Sequence, residues 1–512
     1  MTPEQKPTKI QESKRNKLVY AVIICALIIF VLLFSFRSKK ITISQYNTID
    51  RSATIHPHYS GAVIPPNIAP LNFYIQHDGS RYFVKIYSEN GKPIEIFSKT
   101  PKIIIPQQTW HKLLNLNRGR QLNLDIYVDA SESSSKAGNG KWTRFKTLTN
   151  KIANDDIDSF LVYRRIHPVH RTWRDMGIYQ RNLSSFDESL ILHNKYFKHG
   201  CVNCHTFCGN RTDKMLISIR SAEYNSSVLL IEDEKVKKIG TKFGYSSWHP
   251  SGRVVAFSIN MVRQLFHSSA NEPRDVMDFD SLMAYYQVDS KSVKTSPALA
   301  GKDQLETYPT WSPDGRYLYF CSAPITWPDR TVVPQSYDQI KYDLVRISYD
   351  LAGDSWGRPE TVLSAKDTGL SILLPRISPD GKRLLFCMCN YGCFPAYQQS
   401  SDLYMMDLEE ARKTGKYTYR RLDINSDDSE TWHSWSSNNR WIVFSSKRNS
   451  GVFTRTYIAH VDESGKVHKP ILLPQKNPRY YDSCLWTYSV PELIVEPVRV
   501  TKEKLGRVVR SS

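Results

Sequence analysis

Four stretches in the last three hundred residues repeat one frame. WHPSGRVVAFS at 248–258 aligns with WSPDGRYLYFC at 311–321, ISPDGKRLLFC at 377–387 and WSSNNRWIVFS at 435–445. The starts lie 63, 66 and 58 residues apart. Each unit reads as a strand, a tight turn at Pro-Asp-Gly or its substitute, and a second strand. A third strand follows at 343–347 and 402–406, and a fourth near 360–363. Four strands per repeated unit predict a β-propeller; the alternative, a stacked β-solenoid, normally has shorter repeats. The propeller is expected over 213–500. Strands at 215–219 and 227–231 supply a further unit. Residues 484–500 either complete that unit or begin a sixth by ring closure between chain ends, so strand counting permits five or six blades.

The first forty residues predict where the chain resides. Residues 18–36, LVYAVIICALIIFVLLFSF, contain no charge. At ~1.5 Å per residue they form a helix of ~28 Å, enough to span the hydrocarbon core. Lys6, Lys9, Lys14, Arg15 and Lys17 precede it, against Glu4 and Glu12, which predicts a cytoplasmic tail over 1–17. Arg37, Lys39 and Lys40 weaken that asymmetry. No small-x-small cleavage site follows, and Cys25 has no lipid-attachment context. The expectation is an uncleaved single-pass anchor in the cytoplasmic (inner) membrane, with everything after it in the periplasm. The net charge is +19. No basic run is interleaved with a nucleic-acid reader motif, so nucleic acid is not an expected partner. Anionic lipid or an acidic partner suits the excess better, and 501–512 form a basic tail.

Between anchor and propeller the pattern changes twice. Residues 37–60 read as a polar linker. From 61 to 165 short alternating strands are separated by turn signals such as Asp78-Gly79 and Asn90-Gly91, which predicts an immunoglobulin- or fibronectin-like β-sandwich. Residues 166–212 mix charged and aromatic residues. Ser184-Ser185-Phe186-Asp187-Glu188 ahead of Leu190-Ile191-Leu192 reads as a helix start. The fold class is therefore mainly β, with a transmembrane helix, a sandwich, a short helical segment and a propeller.

That segment carries the one motif with specific chemistry. Cys201-Val202-Asn203-Cys204-His205 is the C-x-x-C-H pattern on which c-type haem is attached. Each thiol reaches one vinyl group of the porphyrin, and the adjacent imidazole becomes an axial ligand. The alternatives are a zinc site, an iron–sulfur ligand set or a disulfide. One covalent haem c on Cys201 and Cys204, with His205 as proximal iron ligand, is the expectation. Met215 and His193 rank first as distal ligands, with Met176, His167 and His170 in the same region; Met215 reads equally as strand core. Cys208 is a third thiol nearby. In an exported protein Cys387, Cys389 and Cys393 favour a disulfide over a metal site, and Cys321 and Cys387 read as core thiols at equivalent repeat positions. The pairing of these, and of Cys484, stays open. Asp314, Asp380, His249 and His433 lie at repeat turns, where turn chemistry is the simpler reading and a channel lining the other. No phosphate loop, G-x-S-x-G elbow or H-E-x-x-H motif is present.

The repeat units, W-S-P-D-G before an apolar strand, resemble those of TolB-type periplasmic propellers. GCVNCHTF at 200–207, SWHPSG at 247–252, NYG at 390–392, SWSSNNRWIVFSSKR at 434–448 and LLPQ at 472–475 together resemble a family of bacterial envelope proteins, of Bacteroidetes and planctomycete type. That family joins a TolB-like propeller to a C-x-x-C-H segment. The resemblance implies this domain order, six blades and a c-type haem, and carries no substrate or reaction. Two functions follow as expectations. One is an anchored haem protein that transfers electrons or senses through its haem, with a redox or protein partner docked on the propeller. The other is a non-catalytic scaffold recognising a protein or polysaccharide. An open haem face reducing a small oxidant is a third, weaker reading.

Overall fold

A computed structural model describes residues 43, 45–130, 142–167, 174–268 and 272–511. The expected anchor at 18–36, the tail before it and His170 lie outside these residues. Among the described residues no helix is long and apolar enough to cross a membrane.

Six sheets form a closed ring. Blade 2 runs Cys201–Cys208, Arg211–Arg220, Ser227–Glu232 and Lys235–Ile239 from the axis outward. The inner strands of blades 3 to 6 are Ser246–Trp248, Gln304–Trp311, Ser371–Ile377 and Glu430–Trp435. Blade 1 is built from both chain ends: Thr487–Ile494 is its inner strand, paired antiparallel to Phe160–Ile166, with Met176–Asn182 and Glu188–His193 outside. Successive inner strands touch all the way round, and blade 6 touches the inner strand of blade 1. The blade count is six, reached by the ring-closing alternative.

The propeller therefore begins at Phe160, not near 213. The stretch expected to be helical is strand at Met176–Asn182 and Glu188–His193, with a single 3-10 turn at Asn194–Phe197. The misleading signal was local. Ser184 and Ser185 bond within a turn, Ser184 N–H to Asn182 Oδ1 (2.9 Å) and Ser185 Oγ to Asp187 Oδ2 (2.7 Å). Serine and aspartate offer such bonds to a turn as readily as to a helix start.

The repeated turns share one chemistry. Ser312 Oγ donates to Asp314 Oδ1 (2.5 Å), which also accepts the Arg316 N–H (3.0 Å). Ser378 and Asp380 repeat this, and Ser436 with Asn438 does so where Pro-Asp-Gly is missing. The next position needs a left-handed backbone: φ is 73° at Gly315, 71° at Gly381 and 63° at Asn439. Asparagine tolerates that region better than other side chains, so Ser-Ser-Asn-Asn preserves the turn. Asp314 and Asp380 thus serve turns.

The N-terminal module has a seven-stranded and a three-stranded sheet. It departs from the expected sandwich in three ways. Tyr46–Ser52 and Ile55–His56 are strands within the expected linker. Two pairs are parallel, Tyr46–Ser52 with Trp142–Lys146 and Leu148–Ile152 with Val63–Ile64. A helix at Gln107–Leu116 buries Trp110, Leu113 and Leu114, the i, i+3, i+4 stripe of a helix face. The module's core continues into blade 6 through Trp441, Val443, Ile458 and Leu473. Asp158 fixes the join by accepting the Ser437 N–H (2.8 Å) and hydroxyl (2.6 Å).

Candidate functional site

The C-x-x-C-H motif lies in the propeller, on the inner strand of blade 2. Each inner strand of blades 1, 2, 4, 5 and 6 carries an extra residue that breaks its ladder. In blades 4, 5, 6 and 1 that residue is Tyr308, Leu374, Trp432 or Val490, all at positive φ. Tyr245 holds the matching position in blade 3, and in blade 2 the ladder breaks at Asn203 and Cys204, between the Val202 and His205 pairs. Tyr245 packs 4.2 Å from Tyr308 and 5.8 Å from Trp432, centroid to centroid. Cys204 lies close enough to Tyr245 to act on its hydroxyl electrostatically. Tyr245, Tyr308, Leu374, Trp432 and Val490 close the axis of the ring.

Cys201, Cys204 and His205 have different surroundings. Cys201 is half-buried and lines a cavity of about 150 Å³. Met176, Phe394 and Trp432 form apolar walls, and Arg164, Arg274 and Lys447 bring cationic groups. Glu272 engages two of these, accepting from Arg274 Nε (2.8 Å) and from Lys447. Met176 Sδ accepts the Val202 N–H at 3.2 Å. Burial pushes the Cys204 thiol up, and Arg164 and Arg220 pull it back.

His205 is 2 % exposed, and neither ring nitrogen has a hydrogen-bond partner. Burial, and then Arg164, holds its pKa at about 3. Buried imidazoles normally bond at both nitrogens or one. His433, beside the axial Trp432 of blade 6, faces Leu385 O (3.0 Å) with Nε2 and Cys387 Sγ (3.6 Å) with Nδ1. His249 likewise meets Gly315 O (3.2 Å) and Ser251 Oγ (2.7 Å). Both bridge structure, whereas His205, like the buried His460, hydrogen-bonds at neither nitrogen.

The two ranked distal candidates stand elsewhere. Met215 is fully buried in the core between blades 1 and 2, paired with Phe207; His205 pairs with Ile217, two residues further along the same strand. Residues two apart share a sheet face, so Met215 stands beside His205, where no macrocycle fits between them. His193 uses both nitrogens: Nδ1 accepts the Lys195 N–H (3.1 Å) and Nε2 lies 2.8 Å from Asp175. His167 lines the cavity edge and stacks 4.2 Å from Trp486.

The eight described cysteines are all unbonded thiols. The expected disulfide among Cys387, Cys389 and Cys393 is not formed. These three and Cys321 share one apolar core, where burial raises their pKa. Among the described residues no group of three or more His, Cys, Asp or Glu is arranged to hold a metal.

No protein-family model matches the chain, and no curated protein is similar to it in sequence. Solved structures similar in shape include TolB from Acinetobacter baumannii, at 13% identity and TM-score 0.41, covering 73% of this chain and 79% of that one. Hydrazine synthase from Kuenenia stuttgartiensis gives 14% identity and TM-score 0.32 over 51% of this chain and 64% of that one. Oligogalacturonate lyase from Vibrio parahaemolyticus gives 11% and 0.31 over 60% and 92%. At these scores the propeller rests on the chain's own sheet topology.

Sequence reading missed two features of the site. The residue three positions before the first residue of each repeat, as Tyr245, Tyr308 and Trp432 are before Trp248, Trp311 and Trp435, is the axial one. The contribution of Arg164, 40 residues upstream, follows only from ring closure.

Proposed function

We propose that this chain is a membrane-anchored, exported propeller carrying one covalent c-type haem on Cys201 and Cys204, with His205 as iron ligand. It acts in electron transfer or haem-based sensing, and a partner docks on the propeller. The observation that carries the reading is His205, a buried imidazole with both nitrogens unpartnered beside two unbonded thiols. Iron coordination is the bond such a nitrogen lacks. The donor set fits the group. The enclosed space does not hold a whole porphyrin, since pockets for ligands of that class measure ~300–1,000 Å³, so a haem held by Cys201, Cys204 and His205 would need room beyond this cavity.

The bound haem would supply one-electron chemistry at the iron. The chain's own residues do the rest. Cys201 alone of the motif lines the cavity, and burial, then Arg164, keeps the His205 imidazole neutral. Arg164, Arg274 and Lys447, the last two already paired with Glu272, would set a positive field for carboxylates at the mouth. Met176, already at the motif, replaces Met215 and His193 as the side chain to test for a distal role.

A second reading, the non-catalytic scaffold, is favoured by the small cavity and the aromatic closure of the axis. A pyridine haemochrome spectrum of the full chain, from a host competent in cytochrome c maturation, separates the two. Expected are a Soret band, covalent retention through acid–acetone extraction and changed bands in His205→Ala. No Soret absorption, with Cys201 and Cys204 both alkylatable after unfolding, overturns the haem reading.

A further inference from the structure

On the other side of the axial closure lies a second cavity, about 160 Å³, open to solvent. Each of the six inner strands sends one polar residue to it, Thr206, Ser247, Thr310, Arg376, Ser434 and Glu492, and five of them also send the apolar residue that follows. The six polar residues are those immediately before the first position of each repeat frame. The ring is therefore a product of the fold's symmetry, with four hydroxyls, one guanidinium and one carboxyl.

Arg376 is the anomaly. It is half-buried, and its guanidinium makes no hydrogen bond or ion pair among the described residues; only its carbonyl is used, by Trp435 Nε1 (3.0 Å). Glu492 feels its charge, yet the two form no ion pair. A guanidinium cannot shed its proton, and the Arg376 nitrogens are not buried from the water of the open cavity, so a ligand there has only water to displace. Its planar fork matches the oxygens of a carboxylate or phosphate. The neighbours are suited to the same ligand. Ser247 Oγ already accepts the Trp311 N–H (3.3 Å), which leaves its own proton to give. The hydroxyls of Thr206 and Thr310 have no partner among the described residues. Glu492 is the one group of opposite sign. Burial, against the pull of Arg376 and the Phe207 amide, raises its pKa to about 7, so near neutrality it is substantially a neutral acid, able to donate.

We propose that this polar ring binds a small free oxyanion, gripped by Arg376 and completed by the Ser247 and Thr310 hydroxyls. The volume suits it. At about 160 Å³ the cavity has room for several waters or for an ion of phosphate or carboxylate size. The ring does not depend on haem, because none of its members belongs to the C-x-x-C-H motif.

Isothermal titration of the full chain with inorganic phosphate, in buffer free of other oxyanions, tests this. Expected is saturable binding at one site per chain, weakened at least about tenfold in Arg376→Gln and measurably in Thr310→Val, each with an unchanged melting temperature. Formate in place of phosphate competes at the same site. No saturable heat up to about 10 mM, a limit near the weakest specific affinities, overturns the proposal. Unchanged affinity in Arg376→Gln also overturns it. Should that variant fail to fold, unchanged affinity in Thr310→Val does so.

Discussion

Buried imidazoles and buried carboxyls pull the chain's acid stability in opposite directions. In the haem-free chain burial holds His205 and His433 at about 3 and His460 at about 4, all below 6.5. Their folded pKa is depressed, so unfolding takes up protons below pH 6.5. The stability they contribute above that pH is lost as pH falls toward their folded values. Asp278 is raised to about 6, and Glu306 and Glu492 to about 7. Those groups hold protons in the fold that the unfolded chain has released, so their effect improves as pH falls from about 7 to about 4. The two uptakes offset each other between pH 6.5 and 4.5. Below about pH 4 these three carboxyls are neutral in both states, and the imidazoles act together with carboxylates held low in the fold, Asp462 at about 2 and Glu272 among them. Urea unfolding midpoints are expected to be nearly flat from pH 6.5 to 4.5. Below that the free energy falls, the three imidazoles alone contributing up to about 4 kcal/mol per pH unit at ~1.4 per proton. A steady decline beginning at pH 6.5 would contradict the balance.

At the scale of elements, the turn frame is what the repeats conserve within this chain. A Cβ at Gly315 would stand 2.3 Å from His249 Nε2, on a backbone with φ +73°. Gly315→Ala is therefore expected to cost about 2–3 kcal/mol, part backbone strain and part displacement of His249 from its bridge between blades 3 and 4. Asn439→Gly, at the same turn position in blade 6, relieves the backbone but loses the bond that Asn439 Oδ1 accepts from the Asp380 N–H (2.8 Å), so it should cost about 1 kcal/mol, less than Gly315→Ala. Urea denaturation of the two variants checks the pair. This frame is why the propeller was legible from residues 248, 311, 377 and 435 onward: the turn is local, and its Ser, Asp and Gly announce themselves. Blade 1 was not legible, because Phe160–Ile166 and Thr487–Ile494 become neighbours only across some 330 residues. The C-x-x-C-H residues were legible as a chemical unit. Their seat in a strand was not, since a ladder-breaking extra residue leaves no mark in a five-residue motif. The helix at Gln107–Leu116 did leave one, in Trp110, Leu113 and Leu114, but it is a single stripe among alternating strands.

The whole molecule depends on its last inner strand. Removing residues 487–512 takes away the partner of Phe160–Ile166 and one wall of the axis, Val490 included. The expected result is loss of a single cooperative thermal transition, well beyond the ~3 kcal/mol of a severe point mutation. In the haem-free protein, Cys204 should change from protected to alkylatable under native conditions, read by mass spectrometry. A truncated chain that melts as the full one does would mean the ring is held shut by the other five blades.

Closure by the end of the chain also sets a clock. Ile494 leaves the ribosome some 290 residues after Cys204, roughly 15–60 s later at about 5–20 residues per second. For that interval the second thiol has no finished wall around it. Any enzyme that must reach Cys204 has this window and loses it when the final strand arrives, so the order of synthesis itself becomes part of how the site is made.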